Sequence, residues 1–98
     1  MKANARCEWV SPVKTFTSRT GEEVRKVEVK FTFGDTDNFL NEAVIPLYGD
    51  RADHAAHELK AGECYDIAFR LKTFRTSGGA EYNDISLRSI HFGERQII

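Results

Sequence analysis

Apolar and polar residues alternate most clearly between Glu23 and Phe33. The apolar set takes one parity and the polar set takes the other: Val27, Val29, Phe31 and Phe33 against Lys26, Glu28, Lys30 and Thr32. A period of two indicates a β-strand with one buried face and one face in water. Because the segment is long for a strand of a globular domain, it predicts the spine of a small, strongly bent β-barrel.

The residues before this strand predict its hairpin partner. A first strand runs from about Ala5 to Val13, and Pro12, which cannot donate a hydrogen bond to a sheet, marks an edge or a bend in it. The strand can continue past the bend to Phe16. The polar turn Thr17–Gly21 then leads into the strand that begins at Glu23, so the two strands are predicted to form a β-hairpin.

The middle of the chain predicts a loop, a short strand and a helix. Gly34–Glu42 is polar and has no period, whereas Ala43–Tyr48 is a strand in which Pro46 indicates an exposed edge or a bulge. The helix that follows has one apolar stripe at helical spacing: Ala52, Ala55, Ala56 and Leu59. We expect Asp50 to cap its first turn and Gly62 to provide a left-handed C-cap.

A second hairpin follows the helix. Alternation predicts strands over Cys64–Thr73 and Glu81–Phe92, joined by a flexible turn over Phe74–Ala80. Residues 93–98 have no predicted element.

Two shifts of parity predict β-bulges, which insert one extra residue into a strand. Val24 is apolar but has the wrong parity for the buried series of its strand, which a bulge or a sharp coil of the strand near Arg25 would explain. In the last strand the apolar parity shifts after Leu87, which predicts a second bulge near Ser89.

The predicted order is strand, strand, strand, helix, strand, strand. A chain of 98 residues is expected to form a single domain, residues 1–98 with a core of about 5–92. The predicted fold class is all-β with one short helix. The order is met most economically by a five-stranded Greek-key OB-fold barrel with the helix between strands three and four. The alternative is another small, partly open β-barrel with one helix.

Composition and charge narrow the function classes. The chain is 41% hydrophobic and 30% charged, and its net charge of −1 argues against strong, indiscriminate attraction to nucleic acid or to a membrane. It contains no run of about eighteen apolar residues that could span a bilayer, and its start lacks the apolar stretch of a secretory signal. We therefore expect a cytoplasmic protein with no membrane partner.

The charge is unevenly distributed along the chain. Residues 1–33 hold seven basic and four acidic residues, residues 34–66 hold two basic and eight acidic, and residues 67–98 hold five basic and three acidic. The first and last thirds are therefore basic, and the middle third is acidic. If the first and last thirds share a surface, that surface is basic although the protein is not.

Candidate catalytic and metal-binding residues are few. His54 and His57 share a face of the predicted helix, but a metal site needs a third ligand, so we interpret them as part of a solvated helix face. Cys7 and Cys64 lack a metal-binding spacing and are interpreted as free thiols packed in or beside strands. Since no catalytic triad, phosphate loop or carboxylate pair stands out, we predict no enzyme activity, no cofactor and no metal.

Several segments together resemble a known family. They are Thr17–Gly21, Arg25–Phe33, Tyr48-Gly49-Asp50, Lys60-Ala61-Gly62-Glu63 and Tyr82-Asn83-Asp84-Ile85. Over about Cys7 to Phe92 the chain resembles OB-fold proteins that bind single-stranded DNA, and more closely small, uncharacterised bacterial proteins that share that fold. The resemblance implies the OB fold and single-stranded nucleic acid as the ligand.

The candidate binding residues lie on both hairpins. Proteins that bind single strands combine a basic groove with aromatic rings on which bases stack. OB-folds place this site across strands two and three, framed by the loops of both hairpins. The basic and aromatic residues of these regions are the predicted nucleic-acid-binding residues: Lys14, Phe16, Arg19, Arg25, Lys26, Lys30, Arg70, Lys72, Phe74, Arg75, Tyr82 and Arg88. The wet face of the Glu23 strand has no ring, so stacking is expected chiefly from Phe16, Phe74 and Tyr82.

These residues also have structural interpretations. Outward lysines and arginines can solubilise a strand or protect a sheet edge, and Phe16 and Phe74 can fold back to close the barrel. Trp9 is interpreted as a core or interface residue. Phe39 can be a stacking ring or part of a subunit interface.

The sequence therefore predicts a non-enzymatic OB-fold module that binds single-stranded DNA, with RNA as the alternative ligand. Because one domain offers few stacking sites, we expect a homo-oligomer, a dimer or a tetramer, that lengthens the track for a strand. The alternative function is a protein-interaction or assembly module without a nucleic-acid ligand, which the acidic middle and the edge strands favour. Oligosaccharide binding is a third hypothesis for this fold.

Overall fold

The computed structural model describes residues 1–34 and 41–98, which contain seven strands and one helix. The strands are β1 (Lys2–Val10), β2 (Lys14–Thr17), β3 (Glu23–Phe33), β4 (Asn41–Tyr48), β5 (Cys64–Arg75), β6 (Glu81–Phe92) and β7 (Arg95–Gln96). The helix α1 (Asp50–Glu58) lies between β4 and β5. The predicted all-β class with one short helix is confirmed. No helix in the described part of the chain is long and apolar enough to cross a membrane.

The strands form one antiparallel sheet that curls into a half-barrel. Hydrogen-bonded neighbours follow the order β2-β3-β1-β5-β6-β7, and β4 pairs with the other edge of β3. The chain leaves the sheet between β1 and β2, which confirms the bend predicted at Pro12. Among the described strands β4 pairs only with β3, so the edge position indicated by Pro46 is confirmed as well. β3 is thus the central strand of the first hairpin region.

The alternation along β3 produces the buried face that the sequence predicts. Val27, Val29 and Phe31 are fully buried in the core. The polar set is half-buried with one exception, Thr32, which is buried although it was expected on the wet face. Its hydroxyl donates a hydrogen bond of 2.5 Å to Glu8 Oε1, so the neighbouring strand covers it.

The hydrophobic core lies inside the curled sheet. Its largest fully buried side chains come from five strands: Cys7, Val27, Val29, Phe31, Ile45, Ile67 and Ile90. Burying a side chain of valine size or larger contributes roughly 1.5–3 kcal/mol relative to leaving it in water. The core therefore fixes the curvature of the sheet, and the curvature in turn positions the outward faces of the strands.

Two β-bulges bend the sheet. In β1 the register with β3 shifts between Cys7 and Trp9. In β6 the register with β5 shifts at Arg88, which confirms the bulge predicted near Ser89. The bulge predicted near Arg25 is wrong, because the register of β3 with β2 runs unbroken from Glu23 to Lys26.

Helix α1 packs against β3 and β4. The helix and the residue after it contribute three buried side chains to the core: Ala52, Ala55 and Leu59. Ala56, which was expected in the same stripe, is exposed. The cap predicted at Asp50 is wrong: Gly49 is the N-cap residue, and no side chain caps the helix. Gly62 has a φ of +92° but lies in the turn before β5, because the helix already ends at Glu58.

The second hairpin is longer than predicted. β5 continues through Phe74 and Arg75, so the turn is confined to Thr76–Ala80, where the Thr76 N–H donates to the Ala80 carbonyl at 2.8 Å. The last residues, which had no predicted element, form β7 against the end of β6. Ile97 and Ile98 then pack against the core.

Candidate functional site

The outward face of β1, β2, β3 and β4 brings basic and aromatic side chains together. Residues directly opposite each other on paired strands share a face of the sheet. Lys26 of β3 lies opposite Lys14 of β2 on one side and Tyr48 of β4 on the other. Lys30 of β3 lies opposite Trp9 of β1. We call this outward face the barrel face and define it by Trp9, Lys14, Phe16, Lys26, Glu28, Lys30 and Tyr48.

Three aromatic rings of the barrel face are exposed. Trp9, Phe16 and Tyr48 are 40%, 46% and 49% exposed, respectively. Phe16 extends the face onto β2, where it lies opposite Val24. In the described part of the chain, the aromatic pairs do not include any of these three rings. Each ring can therefore offer a face to a planar ligand.

The lysines of the barrel face have different neighbours. Lys26 Nζ lies 5.9 Å from the centroid of the Tyr48 ring, within the range of a cation–π interaction. Lys30 Nζ lies 3.7 Å from Glu42 Oε2. Lys14 is exposed and lies directly opposite Lys26. Like charges directly opposite each other destabilise a sheet, so this pair costs stability until an anion neutralises it.

A carboxylate network fixes β1 against β3 beside the barrel face. Glu8 Oε1 accepts hydrogen bonds from Thr32 Oγ1 at 2.5 Å and from Arg6 Nε at 2.7 Å. The hydrogen bond from Thr32 and then that from Arg6 lower the pKa of Glu8 below its ordinary value, because both donors favour the ionised carboxylate. The network therefore holds the β1 bulge that sets the position of Trp9.

Arg25, a predicted site residue, lies away from the barrel face. It has the parity of Val27, and its guanidinium reaches helix α1. Arg25 Nε donates to the two carboxylate oxygens of Asp53 at 2.9 and 3.0 Å, and Arg25 Nη2 lies 3.4 Å from Asp50 Oδ1. The hydrogen bonds to Asp53 raise the pKa of Arg25. The structure thus uses Arg25 to hold the helix on the sheet.

The second hairpin extends from the barrel as an exposed, two-stranded arm, which we define as residues 70–86. On one side of the arm Phe74 stacks on Tyr82, with ring centroids 5.6 Å apart and planes at 26°. Lys72 Nζ lies 5.4 Å from the centroid of the Phe74 ring. Arg70 has the same parity and lies opposite Ser86. The arm therefore carries a second cluster of basic and aromatic residues.

The other side of the arm carries an ion pair and an exposed apolar side chain. Arg75 has the opposite parity from Phe74, and its Nη2 pairs with Glu81 Oε1 at 2.6 Å. Leu71 is 57% exposed on this side. At the base of the arm it borders a shallow groove whose apolar lining also includes Phe33 and Ile85.

Two further predicted residues belong to neither cluster. Arg19 is exposed in the turn between β2 and β3. Arg88 is exposed at the β6 bulge, where Arg51 Nη2 donates hydrogen bonds of 2.9 Å to the carbonyl oxygens of Leu87 and Arg88. Phe39, for which a stacking role and an interface role are the two interpretations, lies outside the described part of the chain.

Trp9, Glu28 and Tyr48 are the three barrel-face residues that are not among the predicted nucleic-acid-binding residues. Glu28 was expected on the wet face of its strand, Trp9 in the core or an interface, and Tyr48 at the end of a strand. Trp9 and Tyr48 become part of the face because each lies opposite a lysine of β3. Strand register is the signal that would have found these two rings, and the register of β1 depends on its bulge.

The described residues offer little for covalent or metal chemistry. They contain no group of three His, Cys, Asp or Glu side chains that could hold a metal ion. Burial raises the pKa of the Cys7 thiol to about 11, so this thiol is protonated at neutral pH and is a poor nucleophile. Cys64 is exposed and free. Exposed rings and cations are suited instead to non-covalent binding.

A comparison with models of known protein families gives no match, and a search of curated proteins gives none either.

Proposed function

We propose that the protein is a non-enzymatic module that binds single-stranded nucleic acid, DNA in the first instance, across the barrel face. The observation that carries this proposal is the alternation of three exposed rings with three lysines on one face: Trp9, Phe16 and Tyr48 with Lys14, Lys26 and Lys30. A single strand presents planar bases and phosphates in alternation, so rings and cations at strand spacing complement it. Stacking of a base on such a ring contributes roughly 1–3 kcal/mol.

The lysine pair supports an anionic ligand in particular. Lys14 and Lys26 lie directly opposite each other, and Lys26 leans over Tyr48. A phosphate bound between the two ammonium groups would remove their repulsion and gain two charge-assisted hydrogen bonds. The arm adds a second stacking position at Phe74 and Tyr82, with Lys72 and Arg70 beside it.

The proposed fold is a five-stranded Greek-key OB-fold barrel. In this scheme β1 and β2 are one strand bent at Pro12, the next four are β3, β4, β5 and β6, and β7 is an addition. The pairing supports the scheme, because strand one then pairs with strands two and four, two with three, and four with five. OB-folds bind their ligands across strands two and three. Those strands are β3 and β4, which carry the centre of the barrel face.

Fluorescence anisotropy with labelled single-stranded DNA, single-stranded RNA and duplex DNA, each at two salt concentrations, tests the proposal. We expect single-stranded DNA to bind, with an affinity that falls by a log–log slope of about 0.7 per neutralised phosphate as salt rises. Three lysines therefore predict a slope of about 2. Duplex should bind more weakly, because its bases are stacked on each other. Undetectable binding to every single strand at low salt would overturn the proposal.

A protein-interaction or assembly module is the second candidate function. The observation that favours it is Leu71, which is 57% exposed beside the apolar groove at the base of the arm. In the same region the arm strands pair only with each other among the described strands, so their outer edges can accept another strand. Sedimentation of the purified protein tests self-association into the expected dimer or tetramer. A stable protein partner that survives nuclease treatment, together with no oligonucleotide binding, would favour this function.

A further inference from the structure

Glu28 places a carboxylate in the middle of the barrel face. It is two residues from Lys26 and two from Lys30 on β3, so about 6.6 Å of strand separates it from each. Its backbone is fixed by Ser11: the Glu28 N–H donates to Ser11 Oγ at 2.8 Å, and the Ser11 N–H donates to the Glu28 carbonyl at 2.9 Å. The backbone of Glu28 is therefore held on the barrel face between Lys26, which lies opposite Tyr48, and Lys30, which lies opposite Trp9.

The charge of Glu28 is not neutralised by its neighbours. Across the sheet it lies opposite Pro46, which has no hydrogen-bond donor. The nearest lysines turn towards other groups, since Lys26 lies over the Tyr48 ring and Lys30 pairs with Glu42. No described residue forms an ion pair with Glu28. A ligand on the barrel face consequently meets a carboxylate acceptor between two lysines.

An ionised carboxylate can only accept hydrogen bonds, and it repels phosphate. The part of a nucleotide that suits this position is a base edge with an amino group, and Glu and Asp accept hydrogen bonds from the N4 amino group of cytosine. Thymine presents the O4 oxygen at the same place, which is an acceptor and would face the carboxylate unfavourably. In a single strand the base edges are free to make this contact.

We propose that Glu28 makes the barrel face select single strands rich in amino-bearing bases, with cytosine preferred over thymine. This inference rests on the proposed function, because it assigns the base preference of the same face. Cytosine and thymine have similar ring areas, so stacking alone would give little preference between them. The lysines contact phosphates, which are identical in the two strands, so the preference should change little with salt.

The test compares dC12 and dT12 in fluorescence anisotropy at neutral pH and two salt concentrations, with three proteins. We expect the unchanged protein to bind dC12 about five- to tenfold more tightly than dT12, the lower part of the range for a base-specific hydrogen bond. Glu28→Gln should bring the two affinities within about twofold, mainly by improving binding to dT12, because a side-chain amide can also donate to O4. Glu94→Gln removes the same charge from the exposed turn after β6 and should keep the cytosine preference.

The outcomes separate the two proposals. Binding of both oligonucleotides with equal affinity by the unchanged protein would overturn the role of Glu28 but leave the proposed function standing. A cytosine preference that persists in Glu28→Gln would also overturn the role of Glu28. If Glu28 had only a structural role, Glu28→Gln would have a lower melting temperature and would bind both oligonucleotides more weakly by the same factor. That result would overturn its role in base preference. Binding of neither oligonucleotide by the unchanged protein would overturn the proposed function itself.

Discussion

The barrel face and the arm contain the same kinds of residues but support them differently. On the barrel face, the lysines of β3 have paired strands on both edges, and a buried core lies behind them. On the arm, Lys72 and Phe74 lie on a two-stranded hairpin that is exposed on both sides. Isolated two-stranded hairpins are marginally stable in water, so the arm is expected to be the more mobile of the two.

The two regions should contribute unequally to the binding free energy. A ligand that binds side chains already held in place loses less free energy to ordering than one that must also fix a flexible hairpin. The barrel face should therefore provide most of the affinity, and the arm should act as a secondary contact that closes over a bound strand.

Charge reversal is expected to have the largest effect. Lys14→Glu with Lys26→Glu should weaken binding of single-stranded DNA roughly a hundredfold at low salt, since two phosphate contacts become repulsive. The log–log salt slope should also fall by about 1.4. The matched arm variant, Arg70→Glu with Lys72→Glu, changes the net charge equally and should weaken binding only about tenfold. Anisotropy titrations give both values.

The control for this comparison is stability. In Lys14→Glu with Lys26→Glu the opposed pair keeps like charges, so the melting temperature should change little. Equal losses of affinity in the barrel-face and arm variants would show that the two regions contribute alike and would contradict the ranking.

Removal of single rings is expected to have a smaller effect. Tyr48→Ala should weaken binding about tenfold, because the Tyr48 ring has one face free for a base and stacking contributes roughly 1–3 kcal/mol. Phe74→Ala should weaken it only about threefold, because Phe74 already stacks on Tyr82 and that partner remains. The same titrations measure both variants, with thermal unfolding as the check on folding. A larger loss for Phe74→Ala would place the main stacking site on the arm.

The sequence predicts the strands well and the barrel face only in part, for a physical reason. Parity within one strand separates the buried Val27 from the outward Lys26, because side chains alternate with a period of two. Which side chains of neighbouring strands join Lys26 depends on register, and periodicity does not determine register. The parity of β3 alone therefore predicts a wet face without rings, whereas pairing brings Tyr48 and Trp9 onto it.

The roles of individual charged residues could not be predicted either, because they depend on contacts between elements that are distant in sequence. Arg25 is a basic residue near the predicted site, so the sequence suggests that it binds the ligand. Its parity instead places its side chain on the inner side of β3, where it donates hydrogen bonds to Asp53 of helix α1. Asp50 does not cap the helix because Gly49 occupies the N-cap position, and its carboxylate lies 3.4 Å from Arg25 Nη2. Only contacts between elements separate a binding cation from a structural one.

The smallest expected effect concerns the network that holds β1 against β3. The pKa of Glu8 is lowered in the folded state from an ordinary value of 4.5, so its ionised form stabilises the fold above that pH. This stabilisation is lost as pH falls through the lowered pKa. Glu8→Gln removes the titrating group, so its melting temperature should lie below that of the unchanged protein at neutral pH. The gap should narrow as the pH is lowered below 4.5 and through the lowered pKa of Glu8.

The matched arm variant is Glu81→Gln, which removes a carboxylate whose partner Arg75 is largely exposed. Exposed ion pairs contribute little, so its melting temperature should stay close to that of the unchanged protein at neutral pH. Thermal unfolding followed by circular dichroism between neutral pH and about pH 3 measures both variants. If Glu81→Gln lowered the melting temperature as much as Glu8→Gln, the arm would be as firmly held as the barrel face, and a mobile secondary contact would be ruled out.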